Sequence, residues 1–273
     1  DFEESDVIVL VGANLCIAHP ILWQRIMRNR RDPEIIVIDP RATETAQAAS
    51  QHIPQRPKGD LPLLQALTHC IIRDGRTDPV ALKRVEGYDE MAAFVSELDP
   101  EWAATKTGMT PSAIERLART VSEPGTRVSW WWTMGVNQSH EGVRCAQAMI
   151  NLALITGNIG RPGTGANSIT GQCNAMGARL FSNTTSMVGG HDFAIAEHRA
   201  KVAAGLGIPS ERIPESPSLA YDQILKAAEE GKIRGLWIVA TNPFHSWVDG
   251  GALERLRSNL DFLVVQDLSL IHI

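Results

Sequence analysis

Two asparagine–aspartate pairs carry the chemistry that this sequence offers. Asn14 follows the apolar run Asp6-Val-Ile-Val-Leu-Val11 and stands 25 residues before Asp39, which closes Glu34-Ile-Ile-Val-Ile-Asp39. Asn242 follows Gly235-Leu-Trp-Ile-Val-Ala240 and stands 25 residues before Asp267, which closes Phe262-Leu-Val-Val-Gln-Asp267. A small or polar residue where a strand gives way to a helix lets backbone N–H groups approach a diphosphate, and an acid on the next strand can grip a ribose or a base. A carboxylate suits guanine, because it accepts from the ring N–H and the exocyclic amine together; Asp60, after Lys58 and Gly59, is a third candidate. Two such segments predict two bound nucleotides. The plainer alternative is a Rossmann-like scaffold whose strand-ending Asn and Asp residues only cap turns, since neither segment carries G-x-G-x-x-G.

The elements that must position these residues follow from periodicity. The four runs above are short and rich in β-branched residues, as strands buried on both faces of a parallel sheet are. Residues 20–31 read as an amphipathic helix, completing a right-handed βαβ unit with the first two runs. Helices are expected at 61–73, 111–121, 141–156 and 218–230, and Arg127-Val-Ser-Trp-Trp-Trp132 reads as a strand whose tryptophans belong to the core. From 157 to about 190 the chain is rich in glycine and is expected to be irregular; a long loop of this kind inside a compact domain is usually functional or disordered.

Composition narrows the class. The 273 residues are 44% hydrophobic and 21% charged, which fits a globular protein of two domains or one large α/β unit. A net charge of −5 gives no global field for nucleic acid or an anionic membrane, and no apolar run approaches the ~20 residues of a membrane helix. Cys16, Cys70, Cys145 and Cys173 form no Cys-x-x-Cys pair, which argues against a zinc or iron–sulfur site within this chain and for a reducing compartment, the cytoplasm. His140 and His191 lack partners at metal-ligand spacing. The start at Asp1, with neither an initiator Met nor a signal peptide, reads as the interior of a longer protein.

Eight segments in order resemble the catalytic subunits of the molybdopterin oxidoreductases: Val11-Gly-Ala-Asn14, Ile38-Asp-Pro-Arg-Ala-Thr43, Lys58-Gly-Asp60, Trp132-Thr-Met-Gly-Val-Asn-Gln138, Thr156-Gly-Asn-Ile-Gly-Arg-Pro-Gly163, Thr170-Gly-Gln-Cys-Asn-Ala-Met-Gly177, Ala240-Thr-Asn-Pro243 and Val265-Gln-Asp267. Any one is weak; the ordered set spans nearly the whole chain. The wording at 132–139 and at 179–193 is most similar to that of bacterial assimilatory nitrate reductases.

The resemblance implies two Rossmann-like αβα domains with largely parallel sheets, one over 1–137 and part of another over 138–267, inside a larger multidomain molybdoenzyme. Each would cradle one guanine dinucleotide of a molybdenum bis(molybdopterin guanine dinucleotide) cofactor. Gly12, Asn14, Asp39, Arg41, Thr43 and Asp60 would hold the first; Asn242, Gln266 and Asp267 the second; Met134 and Gln138 would stand beside the pterins at the domain junction. Thr170, Gly171 and Gln172 would approach the pterin region, and Arg179 would either attract an anionic substrate or make an ordinary surface or diphosphate contact. The activity implied is reduction of nitrate to nitrite by oxygen-atom transfer, fed by an electron-donor protein or reductase subunit. The alternatives are a formate dehydrogenase subunit and a non-catalytic nucleotide-binding relative. The 4Fe-4S cluster and the molybdenum ligand would lie upstream of Asp1, and 268–273 reads as a non-native tail.

Overall fold

The computed structural model describes residues 1–172, 174–181 and 186–267. The expectations for Cys173, for 182–185 and for the tail 268–273 lie outside the described residues. The chain divides after residue 173 into two compact units.

In the first unit, β1 (Val7–Val11), β2 (Glu34–Ile38), β3 (Gln51–Ile53), β4 (Val128–Trp132) and β5 (Gly165–Ser168) pair in parallel in the order β3-β2-β1-β4-β5. The strand order therefore reverses beside β1, the topological switch point at which open α/β sheets form a crevice. Alternation along β1 shows why the sheet is covered twice. Val7, Val9 and Val11 pack with Leu63, Leu67, Ile114, Leu117, Met149 and Leu152, from the helices Asp60–Arg73, Pro111–Val121 and Gly142–Ile155. Ile8 and Leu10 pack on the other face with Phe2, Leu15 and Ile26, the last from Pro20–Met27. Trp130 and Trp132 are buried, and the Trp131 ring stacks on Phe2 at 3.8 Å.

Two strands, β3 and β5, were not readable from periodicity, and β5 lies within the glycine-rich stretch that the sequence leaves irregular. Both are short and polar and are ordered by pairing with a longer neighbour. The helices Tyr88–Val95 and Pro100–Thr107 were likewise unread, although Asp99 caps the second by accepting from the Trp102 N–H at 2.7 Å. Residues 138–172, assigned by sequence to the second domain, belong to the first unit, because Gly142–Ile155 lies on Asp60–Arg73 and β5 extends the sheet beside β4.

In the second unit, β6 (Gly235–Val239) and β7 (Phe262–Gln266) pair in parallel. Ile238 and Leu263 turn toward Ala228, Leu253 and Leu256, from the helices Tyr221–Glu229 and Ala252–Arg257. Trp237, Val239, Phe262 and Val264 leave the opposite face exposed. Among the described residues, no helix is long and apolar enough to cross a membrane.

Candidate functional site

A cleft of about 400 Å³ opens at the carboxyl ends of β1, β2, β3 and β4 in the first unit. The register is level there, Val11 standing beside both Ile38 and Trp132, so the residues that follow each strand emerge at one edge. Gly12, Asn14, Asp39, Arg41 and Asp60, all singled out by sequence, line the cleft together with Gln55, Arg56, Lys58, Thr133 and Gly135.

Gly12 has a left-handed backbone (φ 54°). Its N–H donates to the Ile38 carbonyl at 2.9 Å, and its own carbonyl accepts from the Thr133 hydroxyl at 2.7 Å. A Cβ built on Gly12 would lie 3.0 Å from the Gly135 Cα, so the backbones at the ends of β1 and β4 touch where a side chain would otherwise stand.

Asn14 acts on its neighbours. Its Nδ2 donates to Glu44 Oε2 at 2.9 Å, and its Oδ1 accepts from the Thr45 hydroxyl at 2.7 Å, which ties the turn after β1 to the short helix Glu44–Gln47. The hydrogen bond from Asn14 Nδ2 is the main cause holding the Glu44 carboxyl below its usual range. Thr43 does not line the cleft; it caps the same helix, its hydroxyl accepting from the Ala46 N–H at 3.2 Å.

Asp39 is buried, and one carboxylate oxygen accepts from the Arg41 N–H at 2.9 Å, which turns the chain into the cleft wall. Asp60 opens the helix Asp60–Arg73 and accepts from Gln55 Nε2 at 2.5 Å. Burial pushes its carboxyl above the usual value, the Gln55 hydrogen bond opposes the shift, and the Asp39 charge adds to it. Arg41, Arg56 and Lys58 line the same cleft, so two acids and three cations converge on one space, suited to a ligand with a base or sugar and a phosphate.

The second set is built on the same plan. Ala240 also has a left-handed backbone (φ 56°), and its N–H donates to the Gln266 carbonyl at 2.8 Å, as Gly12 does to Ile38. Two residues on, Asn242 is buried, and its carbonyl accepts from the N–H groups of His245 and Ser246 at 3.1 and 2.8 Å. Gln266 ends β7 and accepts from the Trp237 indole at 2.8 Å; Asp267 follows it. Asn242 and the Gln266–Asp267 pair therefore stand at the ends of adjacent parallel strands, as Asn14 and Asp39 do.

Other expected residues fall elsewhere. Met134 and Gln138 bracket the one-turn helix Met134–Asn137 after β4, and it is Gly135 between them that lines the cleft. Gly171 and Gln172 are exposed; the Thr170 hydroxyl donates to Gln172 Oε1 at 3.1 Å, and the Thr170 carbonyl meets His19 Nε2 at 3.0 Å. Arg179 is exposed on the helix Ala175–Phe181 of the second unit. Gln55 and Gly135 were missed by sequence reasoning. The only signal for either was its place in a segment already flagged, beside Lys58-Gly-Asp60 and within Trp132-Thr-Met-Gly.

A family model described as molybdopterin oxidoreductase matches residues 1–271. The assimilatory nitrate reductase of Haloferax mediterranei is 35% identical over 98% of this chain and 36% of its own length. The nitrate reductase of Symbiobacterium thermophilum is 33% identical over 98% and 37%. The F420-dependent formate dehydrogenase 1 subunit alpha of Methanococcus maripaludis is 31% identical over 99% and 40%. The chain thus spans between a third and two fifths of the length of these relatives. The solved structure of acetylene hydratase from Pelobacter acetylenicus shares the fold with a TM-score of 0.70 at 18% identity, over 98% of this chain and 39% of that one.

Proposed function

The chain belongs to the molybdopterin oxidoreductases, an enzyme family whose cofactor is a molybdenum–pterin, and from that premise we propose that it is the nucleotide-cradling portion of a nitrate reductase. The carrying observation is the cleft in which Gly12, Asp39, Arg41 and Asp60 meet at the switch point of a parallel sheet. Its residues fit a dinucleotide. Gly12 and Gly135 keep Cβ atoms out of the place where the strand ends converge, cations stand for phosphates, and the buried Gln55 Oε1 has no partner among the described residues.

In this reading Asp39, Arg41 and Asp60 hold the guanine, ribose and phosphates of one molybdopterin guanine dinucleotide, with Asn14 and Thr43 fixing the wall. Asn242, Gln266 and Asp267 hold the second, and Met134, Gln138 and Gly171 belong near the pterins. When bound, the molybdenum–pterin group supplies the redox chemistry; this chain binds and orients it. Gln172 and Arg179, both exposed, are assigned to the approach of nitrate, because a guanidinium offers an oxyanion a planar fork. The 4Fe-4S cluster, the electron donor and the molybdenum ligand are assigned to the rest of a longer cytoplasmic protein. Nitrate rests on the two nitrate reductase relatives.

The formate reading keeps one specific support, the similarity of formate dehydrogenase 1 subunit alpha at 31% identity. The full-length protein assayed with both substrates separates them. Nitrate reduction with a reduced dye supports the proposal, and formate oxidation without nitrate reduction overturns it.

A further inference from the structure

We propose that Gln55 is a positioning residue that sets the base preference of the cleft by fixing the plane of the Asp60 carboxylate. This rests on the nucleotide reading above and adds a residue to it. Gln55 follows β3, is 2% exposed, and its Oε1 is buried without a partner among the described residues. A buried acceptor left unpaired is a cost that an apolar side chain of similar size would avoid, so the placement of the amide needs a reason. The other end of the amide supplies it, since Nε2 donates to Asp60 Oδ1 at 2.5 Å and both residues line the cleft.

The backbone holds this geometry from both sides. The Gln55 N–H donates to the Ile53 carbonyl at 3.0 Å, Lys58 takes a left-handed turn (φ 67°), and the Gly59 N–H returns to the Arg56 carbonyl at 2.9 Å before Asp60 starts its helix. A Cβ on Gly59 would stand 3.1 Å from Gln55 Oε1 and 2.9 Å from the Arg56 carbonyl, so the turn is closed around the amide.

A carboxylate free to rotate accepts single donors from any nucleotide, whereas one held in a plane selects a base edge that presents two parallel donors, a ring N–H and the amine on the neighbouring carbon. Guanine has that edge, hypoxanthine lacks the exocyclic amine, and adenine lacks the ring N–H. Gln55 thereby favours GDP over IDP and ADP.

The test is calorimetric titration with GDP, IDP and ADP of the 273-residue chain, the second site being silenced by Asp267→Asn in every protein compared, with the first cleft as in the wild type and as Gln55→Leu, Asp60→Asn and the double variant, and with thermal melts confirming folding. The expected result is a wild-type preference for GDP of roughly tenfold or more, collapsing to within about twofold in Gln55→Leu and in Asp60→Asn, with no further change in the double variant. Equal weakening of all three nucleotides in Gln55→Leu, with the preference kept, overturns the proposal and leaves the nucleotide cleft standing. Wild-type binding without preference does the same. Wild-type chain that binds no nucleotide overturns the nucleotide reading and this inference with it. Should Gln55→Leu not fold, Gln55→Met is read by the same criterion, and Asp60→Asn retaining full preference for GDP contradicts the proposal independently.

Discussion

Gly12 and Gly135 meet backbone to backbone. A Cβ on Gly135 would lie 2.8 Å from the Gly12 Cα and 2.7 Å from its carbonyl oxygen. Neither neighbour is the far end of a flexible side chain, so a methyl group there must part the ends of β1 and β4. Gly135→Ala is expected to cost about 1–3 kcal/mol of stability and to weaken nucleotide binding, since both glycines line the cleft. Urea denaturation of the variant checks this, and an unchanged midpoint contradicts it.

The left-handed backbone shared by Gly12 (φ 54°) and Ala240 (φ 56°) is free of side-chain strain only for the glycine. Ala240→Gly is expected to stabilise the second unit by up to about 1 kcal/mol, whereas Gly12→Ala destabilises the first. Hydrogen exchange of the β6 amides, compared between wild type and Ala240→Gly, reads the first effect directly. Faster exchange in the variant would count against it.

The parts of this fold legible in the sequence were those that a local pattern encodes. β1, β2, β6 and β7 each contain a continuous apolar run, and the equal spacing from Asn14 to Asp39 and from Asn242 to Asp267 marked the edge where they end. β3 and β5 carry no such pattern, because Gln51-His-Ile53 and Gly165-Ala-Asn-Ser168 become strands only by pairing with longer neighbours. The cleft shows the same division. Asp39 and Asp60 are visible as acids at strand and helix ends. Gln55 and Gly135 matter only through an amide 2.5 Å from Asp60 and a backbone contact with Gly12, which no spacing along the chain announces.

The raised pKa of Asp60, caused first by burial, makes stability depend on pH. The folded state binds this proton more tightly than the unfolded chain, so the stability it contributes is fully present below the ordinary carboxylate value near about 4 and is lost as pH rises through the raised value. Asp60→Asn removes that loss. The variant is expected to melt a few degrees above wild type at neutral pH, with the gap closing toward acid. A gap that widens below about pH 4 contradicts the assignment.

Burial pushes the Cys70 thiol up to about 11 and the Cys145 thiol up to about 12, with Asp60 and Glu141 adding to the second. Neither forms an appreciable thiolate at pH 8. Both are expected to resist iodoacetamide in the native chain and to label fully in denaturant, as peptide mass spectrometry would show. Native labelling of Cys145 at the rate of a free thiol would mean that its helix does not pack on Asp60–Arg73.

The central claim is that this chain cradles two guanine dinucleotides. Its most direct measurement is the amount of GMP released by acid hydrolysis of the purified full-length protein, set against its molybdenum content. The account predicts two GMP per molybdenum atom, with loss of GMP when Asp60 and Asp267 are both replaced by Asn. Stoichiometric molybdenum without released GMP would contradict it.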